Sequence, residues 1–195
     1  VGVDRQFCEN LVFMAGDRVR EDPVVAPFSI GRNLLTVYSK KHINDVPDLR
    51  GKKLQHNRRT IAATSTLFNE GGRCVWFAPS GGRDRRSAKS GRVEISQFDA
   101  DAVEMMRITA EKASRPTHFY PMSLLTYDML PPPASVGGAQ LGEVRTCAYA
   151  PMNMHVAEEI DWSRAIPHHV SDKLERRRLR AEYVQGIIQD GYTLI

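Results

Sequence analysis

The segment Pro79-Ser80-Gly81-Gly82-Arg83-Asp84-Arg85-Arg86 combines groups that hold an anion. A strand-like run, Cys74–Ala78, leads into it. A Gly-Gly turn after a strand can turn backbone N–H groups toward one point, a shape that favours negative charge. Glycine also lets backbone approach a ligand with no Cβ in the way. Arg83 and Arg85 then offer guanidinium forks that match phosphate or carboxylate oxygens, each charge-assisted bond contributing about 1.5–3 kcal/mol. A second basic cluster, Lys40-Lys41-His42, follows the strand candidate Leu34–Ser39. If these two strands are parallel neighbours, both clusters sit at the carboxyl edge of one sheet, where α/β proteins usually bind ligands. A basic surface loop without function has the same composition, and these residues alone leave both readings open.

The elements that must position these groups are short and alternate in type. Strand candidates are Leu11–Ala15, Leu34–Ser39, Arg73–Ala78, His118–Leu125 and Glu143–Ala150, each bounded by turn residues. Near-continuous apolar character in Cys74–Ala78 and Phe119–Leu125 suits strands covered on both faces. Helix candidates lie between them. Arg58–Glu70 carries Ile61, Ser65 and Phe68 on one side and stops at Gly71-Gly72. Asp101–Ala113 spaces Val103, Met106 and Ala110 helically, with Asp99 or Asp101 as its cap. Ser171–Gln189 aligns Val170, Leu174, Ala181, Val184 and Ile188, and its four arginines between 175 and 180 read as a solvated outer face. The pattern predicts an α/β fold with a mixed, mostly parallel central sheet flanked by helices, in a single domain over residues 1–195.

Composition narrows the function classes. The chain has 195 residues, 42% apolar and 26% charged, with 27 basic against 23 acidic side chains. That length supports one self-sufficient core, and the small positive excess suits an anionic small ligand. Three scattered cysteines, Cys8, Cys74 and Cys147, form no C-x-x-C pair, so neither a disulfide framework nor a zinc site is expected. The apolar runs are far below the roughly 18 residues of a membrane span. There is no G-x-x-x-x-G-K-[ST], G-x-G-x-x-G or H-E-x-x-H. No metal and no cofactor are expected. The basic patches lack interleaved aromatics for stacking bases, which ranks nucleic-acid binding through Arg176–Arg180 and the Ser80–Arg86 loop last.

Five strings together resemble the soluble plastid-type glycerol-3-phosphate 1-O-acyltransferases: FMAGDRV (13–19), DPVVAPFSIGRNLLTVYSKKH (22–42), WFAPSGGRDR (76–85), FDADAVEMMR (98–107) and YPMSLLTYDMLPPP (120–133). The resemblance runs from about Val12 to Ile160 and fades after Asp161. It implies that Lys41, His42, Arg83 and Arg85 bind the substrate phosphate, with Ser80, Gly81 and Gly82 shaping the loop. Arg32, in FSIGRN, resembles part of the family's second block, and Pro121, in YPMSLL, the proline of its fourth. The implied reaction moves a fatty acyl group from acyl carrier protein or acyl-CoA to the 1-hydroxyl of sn-glycerol 3-phosphate in the plastid stroma, giving lysophosphatidic acid, with at most peripheral membrane contact.

One family feature is missing. Its first block is H-x-x-x-x-D, yet none of His42, His56, His118, His155, His168 and His169 has an Asp five positions later. His168 and Asp172 come nearest, four apart. The chain also begins at Val1, without Met. The expectation is a catalytic domain incomplete at its N-terminus, with no catalytic base of its own and little or no turnover in isolation. The alternative is a non-catalytic phosphate-ligand-binding protein.

Overall fold

Leu11–Gly16 reads LVFMAG, with almost no polar side chain to solvate, and it becomes β1, the middle strand of a parallel sheet. The computed structural model describes residues 4–21, 25–40, 43–81, 84–87, 89–131 and 146–195, apart from the side chains of Phe28 and Arg85. A short helix α1 (Arg5–Asn10) precedes β1, and α2 (Ala26–Ile30) follows it. Next come β2 (Leu34–Val37), the long helix α3 (Arg50–Glu70) and β3 (Cys74–Phe77). The sheet order is β2-β1-β3, with Phe13 opposite both Leu34 and Trp76. Val12 and Met14, pointing one way from β1, are buried; burying each fully is worth about 1.5–3 kcal/mol.

Helix α3 begins eight residues before the Arg58 expected from periodicity, at Arg50. Its buried side is Thr60, Thr64 and Phe68, whereas Ile61 is exposed. The expected face was thus turned by one residue. The reason is chemical: α3 packs on strand β2, whose carbonyl at Thr36 needs a donor, and Thr60 supplies it. Gly71 ends the helix as expected, at φ +71° with its N–H on Leu67 O, a conformation glycine adopts without a Cβ penalty.

The later elements are β4 (Arg85–Arg86), β5 (Val93–Glu94), α4 (Ala100–Glu111), β6 (Met122–Leu125), β7 (Asn153–Val156) and α5 (Lys173–Thr193). Asp99 caps α4, accepting from Asp101 N at 2.8 Å and Ala102 N at 3.3 Å, and the expected face Val103, Met106 and Ala110 is buried. Strands β4 and β5 pair antiparallel, as do β6 and β7. The antiparallel pairing therefore lies in two separate ribbons, while the described three-stranded sheet is wholly parallel. The expected strand His118–Leu125 is shorter, because Pro121 has no N–H to donate and β6 starts after it. Glu143–Ala150 does not hold as a strand: residues 143–145 lie outside the described residues, and 146–150 have no regular structure. The partner of β6 is instead β7, whose exposed side chains gave no apolar alternation to read.

The chain divides into two compact units, Val1–Gly81 with Arg107–Thr117, and Gly82–Met106 with His118–Ile195. The second has a core of Phe98, Val103, Ile160, Ala181 and Val184. Ala181 and Val184 belong to the face expected of α5, whereas Leu174 is exposed. Its arginines are not simply solvated. Arg177 reaches Asp101 and Arg178 reaches Glu182, while Arg180 is mostly covered where it meets buried Glu104. No helix among the described residues is long and apolar enough to cross a membrane.

Candidate anion site at the carboxyl edge of the sheet

The carboxyl edge of the parallel sheet is where both basic clusters begin. Strands β2 and β3 each pair parallel with β1. They are not hydrogen-bonded neighbours, because β1 runs between them, but all three strands point the same way. Tyr38–Lys40 and Ala78–Gly81 therefore leave the sheet at one edge.

After β3 the chain turns back at once. Gly81 donates its N–H to Ala78 O at 3.0 Å, with φ +64°. That closes the turn and uses one of the N–H groups expected to face an anion. Ser80 is half-buried in the same turn. Gly82 and Arg83 lie outside the described residues, as do Lys41 and His42. The backbone of Arg85 is in β4, opposite Glu94. Beside it, Asp84 Oδ1 accepts from Ser96 N at 2.7 Å, which fixes the start of the ribbon.

The other two expected site residues, Arg32 and Pro121, are described. Arg32, just before β2, holds its guanidinium 5.3 Å from the Phe13 ring centre, a cation–π contact. It also lines a groove of 660 Å³ with Arg20, Arg59, Ile30, Leu35 and His56. Pro121 is buried, and its carbonyl accepts from Ala157 N at 2.9 Å. In the structure it sets where β6 begins.

Pattern reading missed a polar cluster where β1 and β2 end. Asp17 follows β1 and is buried, with 8% of its side chain exposed. The Tyr38 hydroxyl shares a hydrogen bond with it, and that bond, then burial, then the charge of Asp17 raise the Tyr38 pKa above its ordinary value. Among the described residues Asp17 Oδ1 has no hydrogen-bond partner; Arg20 Nη1 stands 3.7 Å away, within ion-pair range but beyond hydrogen-bond length. From α3, Asn57 Oδ1 accepts from Tyr38 N at 2.8 Å and Asn57 Nδ2 donates to Tyr38 O at 2.9 Å. The Tyr38 ring meets His56 edge-on at 5.2 Å. The one available sequence signal was Asp17 itself, an acid placed directly after an apolar strand.

Residues 3–125, more than half of the chain, match the family model described as Acyltransferase. The protein named glycerol-3-phosphate acyltransferase, chloroplastic, of Arabidopsis thaliana is 45% identical over 155 residues, covering 80% of this chain and 34% of its own length. The protein of that name from Spinacia oleracea is 45% identical over 157 residues, covering 80% and 33%. In Pisum sativum the corresponding values are 43%, 157 residues, 80% and 34%. The chain thus spans about a third of the length of the curated relatives it matches. The matched region carries the whole parallel sheet and the turn at its carboxyl edge. The chain belongs to the acyltransferase family.

Proposed function

We propose that this chain takes part in transferring a fatty acyl group from acyl carrier protein or acyl-CoA to the 1-hydroxyl of sn-glycerol 3-phosphate, giving lysophosphatidic acid in the plastid stroma. Lys41, His42, Arg83 and Arg85 would hold the substrate phosphate. The observation that carries this reading is the shared edge at which the Tyr38–Lys40 and Ala78–Gly81 segments leave the sheet. Strands β2 and β3 flank β1, so about 10 Å separates the points at which the two segments leave the sheet. Further support comes from identities of 43–45% to chloroplastic enzymes named for this substrate.

The reaction needs more than a phosphate cradle. A glycerol hydroxyl is a weak nucleophile, and a positioned imidazole must take its proton as it attacks the thioester. No H-x-x-x-x-D pair occurs in residues 1–195. The second reading is a phosphate-ligand-binding protein without that base. Positioning can itself lower a barrier by about 7–11 kcal/mol, so substrate binding does not depend on the base.

Calorimetric binding of glycerol 3-phosphate to wild type and to Arg83→Ala/Arg85→Ala tests the phosphate site. The double variant is expected to lose most of the affinity. Equal affinity in the two proteins would remove these arginines from the site. Intact-mass analysis of the native protein separates the two readings: a mass near the 21.9 kDa of this chain favours the binding protein.

A further inference from the structure

The groove lined by α2, β2 and α3 carries charge of one sign. Arg20 comes from the 3-10 turn Asp17–Arg20, Arg32 from the approach to β2 and Arg59 from α3, so three elements contribute one arginine each. No carboxylate lines the groove among the described residues. Neutralisation from nearby is weak. Arg20 stands 3.7 Å from Asp17, too far for a hydrogen bond. Arg32 rests 5.3 Å from the Phe13 ring centre, a contact that orients a guanidinium without using its N–H donors on an acceptor oxygen. Arg59 is exposed and pairs with no carboxylate among the described residues.

The helix that supplies Arg59 repeats this bias. Arg50, Lys52, Lys53, Arg58 and Arg59 lie in the first half of α3, and its sole acid, Glu70, is its last residue. Arg50, Lys52 and Lys53 sit near the positive end of the helix dipole, where acids are favoured and cations are not. The first turn has no acid, and no side chain caps it. Their placement costs helix stability, which an anionic partner would offset.

Apolar surface completes the groove. Leu34 and Leu35 line it half-buried, and Ile30 is 86% exposed. Arginines around an apolar strip match an amphipathic helix whose carboxylates flank its apolar face, because residues three and four apart share one side of a helix. Arginine also grips a carboxylate with two parallel bonds, which lysine does not. Nucleotides and nucleic acids fit less well. No Phe, Tyr or Trp lines the groove to stack a base, and His56 is already held by Thr36 and Tyr38. A flat lipid surface does not enter a concave groove.

We propose that this groove is the docking surface for an acidic amphipathic helix of a carrier protein. Arg20, Arg32 and Arg59 pair with its carboxylates, while Ile30, Leu34 and Leu35 receive its apolar side. The inference rests on the acyl-transfer reading above and chooses between its two donors: acyl carrier protein can present a helix, and coenzyme A cannot.

The test is fluorescence-anisotropy titration of labelled apo-acyl carrier protein, which has neither prosthetic arm nor acyl chain. It is titrated with residues 1–195 as wild type, Arg59→Glu, Ile30→Ser and Arg5→Glu. Arg5 belongs to the same unit but does not line the groove, so Arg5→Glu repeats the change in net charge alone. All three positions are exposed, and thermal unfolding should be unchanged. Arg59→Glu should weaken binding by about 10–100-fold, as for an arginine that pairs with a carboxylate across an interface. Ile30→Ser should weaken it by about tenfold through lost apolar burial, and Arg5→Glu should leave it nearly unchanged. No carrier binding by wild type, or equal losses in Arg59→Glu and Arg5→Glu, would overturn the docking surface. Unchanged affinity in Ile30→Ser would overturn it too, leaving a general polyanion patch. Displacement of the carrier by coenzyme A, single-stranded RNA or phosphatidylglycerol vesicles would assign the groove to that ligand instead. Calorimetry with glycerol 3-phosphate separates the two levels: a wild type that binds the carrier but not glycerol 3-phosphate loses the acyl-transfer reading and keeps the docking surface.

Discussion

Arg180 Nη1 lies 2.9 Å from Glu104 Oε1 and 2.8 Å from Oε2, and both side chains are nearly buried, 12% and 10% exposed. The pair joins α5 to the start of α4 inside the second unit. Removing one partner takes the paired charge away from the other in a poorly solvated place, a loss of about 3–5 kcal/mol. Arg180→Ala is therefore expected to destabilise the chain strongly in urea unfolding. Arg178→Ala, whose partners are exposed, should leave the unfolding midpoint nearly unchanged. A joint replacement of Arg180 and Glu104 by leucine should recover most of the loss, since both charges then leave this poorly solvated place.

Tyr38 gives a pH signature with a definite sign. Its folded-state pKa is raised, first by the hydrogen bond to Asp17 and then by burial. The fold therefore favours the neutral phenol. Its contribution is fully present below the unfolded-state pKa of about 10 and disappears as pH rises through the higher folded value. Wild type should lose stability on the alkaline limb more steeply than Tyr38→Phe, whose ultraviolet titration should also lack a late-titrating phenol. An identical alkaline limb in the two proteins would contradict the Asp17–Tyr38 bond.

Catalysis by residues 1–195 alone provides a third check. Without a base that is both positioned and oriented, acyl transfer should fall by about 10²–10⁴-fold relative to an enzyme that has one. Labelled acyl-carrier-protein or acyl-CoA assays at saturating glycerol 3-phosphate measure this directly. Full turnover would mean that one of the six histidines serves as base with a carboxylate supplied from elsewhere in the fold.

Much of this architecture was legible because its signals are local. Leu11–Gly16, Leu34–Val37 and Cys74–Phe77 are apolar runs closed by turn residues, and each is a strand. Asp99 sits where capping rules place it. What failed depends on partners distant in sequence. The buried face of α3 follows from the backbone of β2, which prefers Thr60 to Ile61. The strand β7 is defined by β6, not by its own exposed side chains. The basic Gly-Gly loop was readable as composition, but the Asn57–Tyr38–Asp17 cluster joins three elements, and no spacing rule links positions 17, 38 and 57. Arg180 shows the same limit: within a run of arginines nothing marks the one that is buried.

Two glycines of α5 should respond to alanine in opposite directions. Gly186 has open space where a Cβ would go, so Gly186→Ala should stabilise by roughly 0.5–1 kcal/mol, the ordinary helix preference for alanine. At Gly191 the added Cβ would come 2.7 Å from both His155 Cδ2 and Ser123 Oγ. Neither neighbour yields freely: Ser123 is buried and donates to Ile188 O at 2.8 Å, and His155 stands opposite it across the β6–β7 ribbon. Overpacking of this kind costs about 1–3 kcal/mol, which exceeds the helix gain, so Gly191→Ala should be destabilising. Ser123→Ala removes one of the two clashing atoms, and the double variant should therefore lose less than the sum of the single ones. Additive losses in thermal unfolding would mean that α5 shifts away from the ribbon as a body, because a rigid displacement would not depend on which side chain had been trimmed.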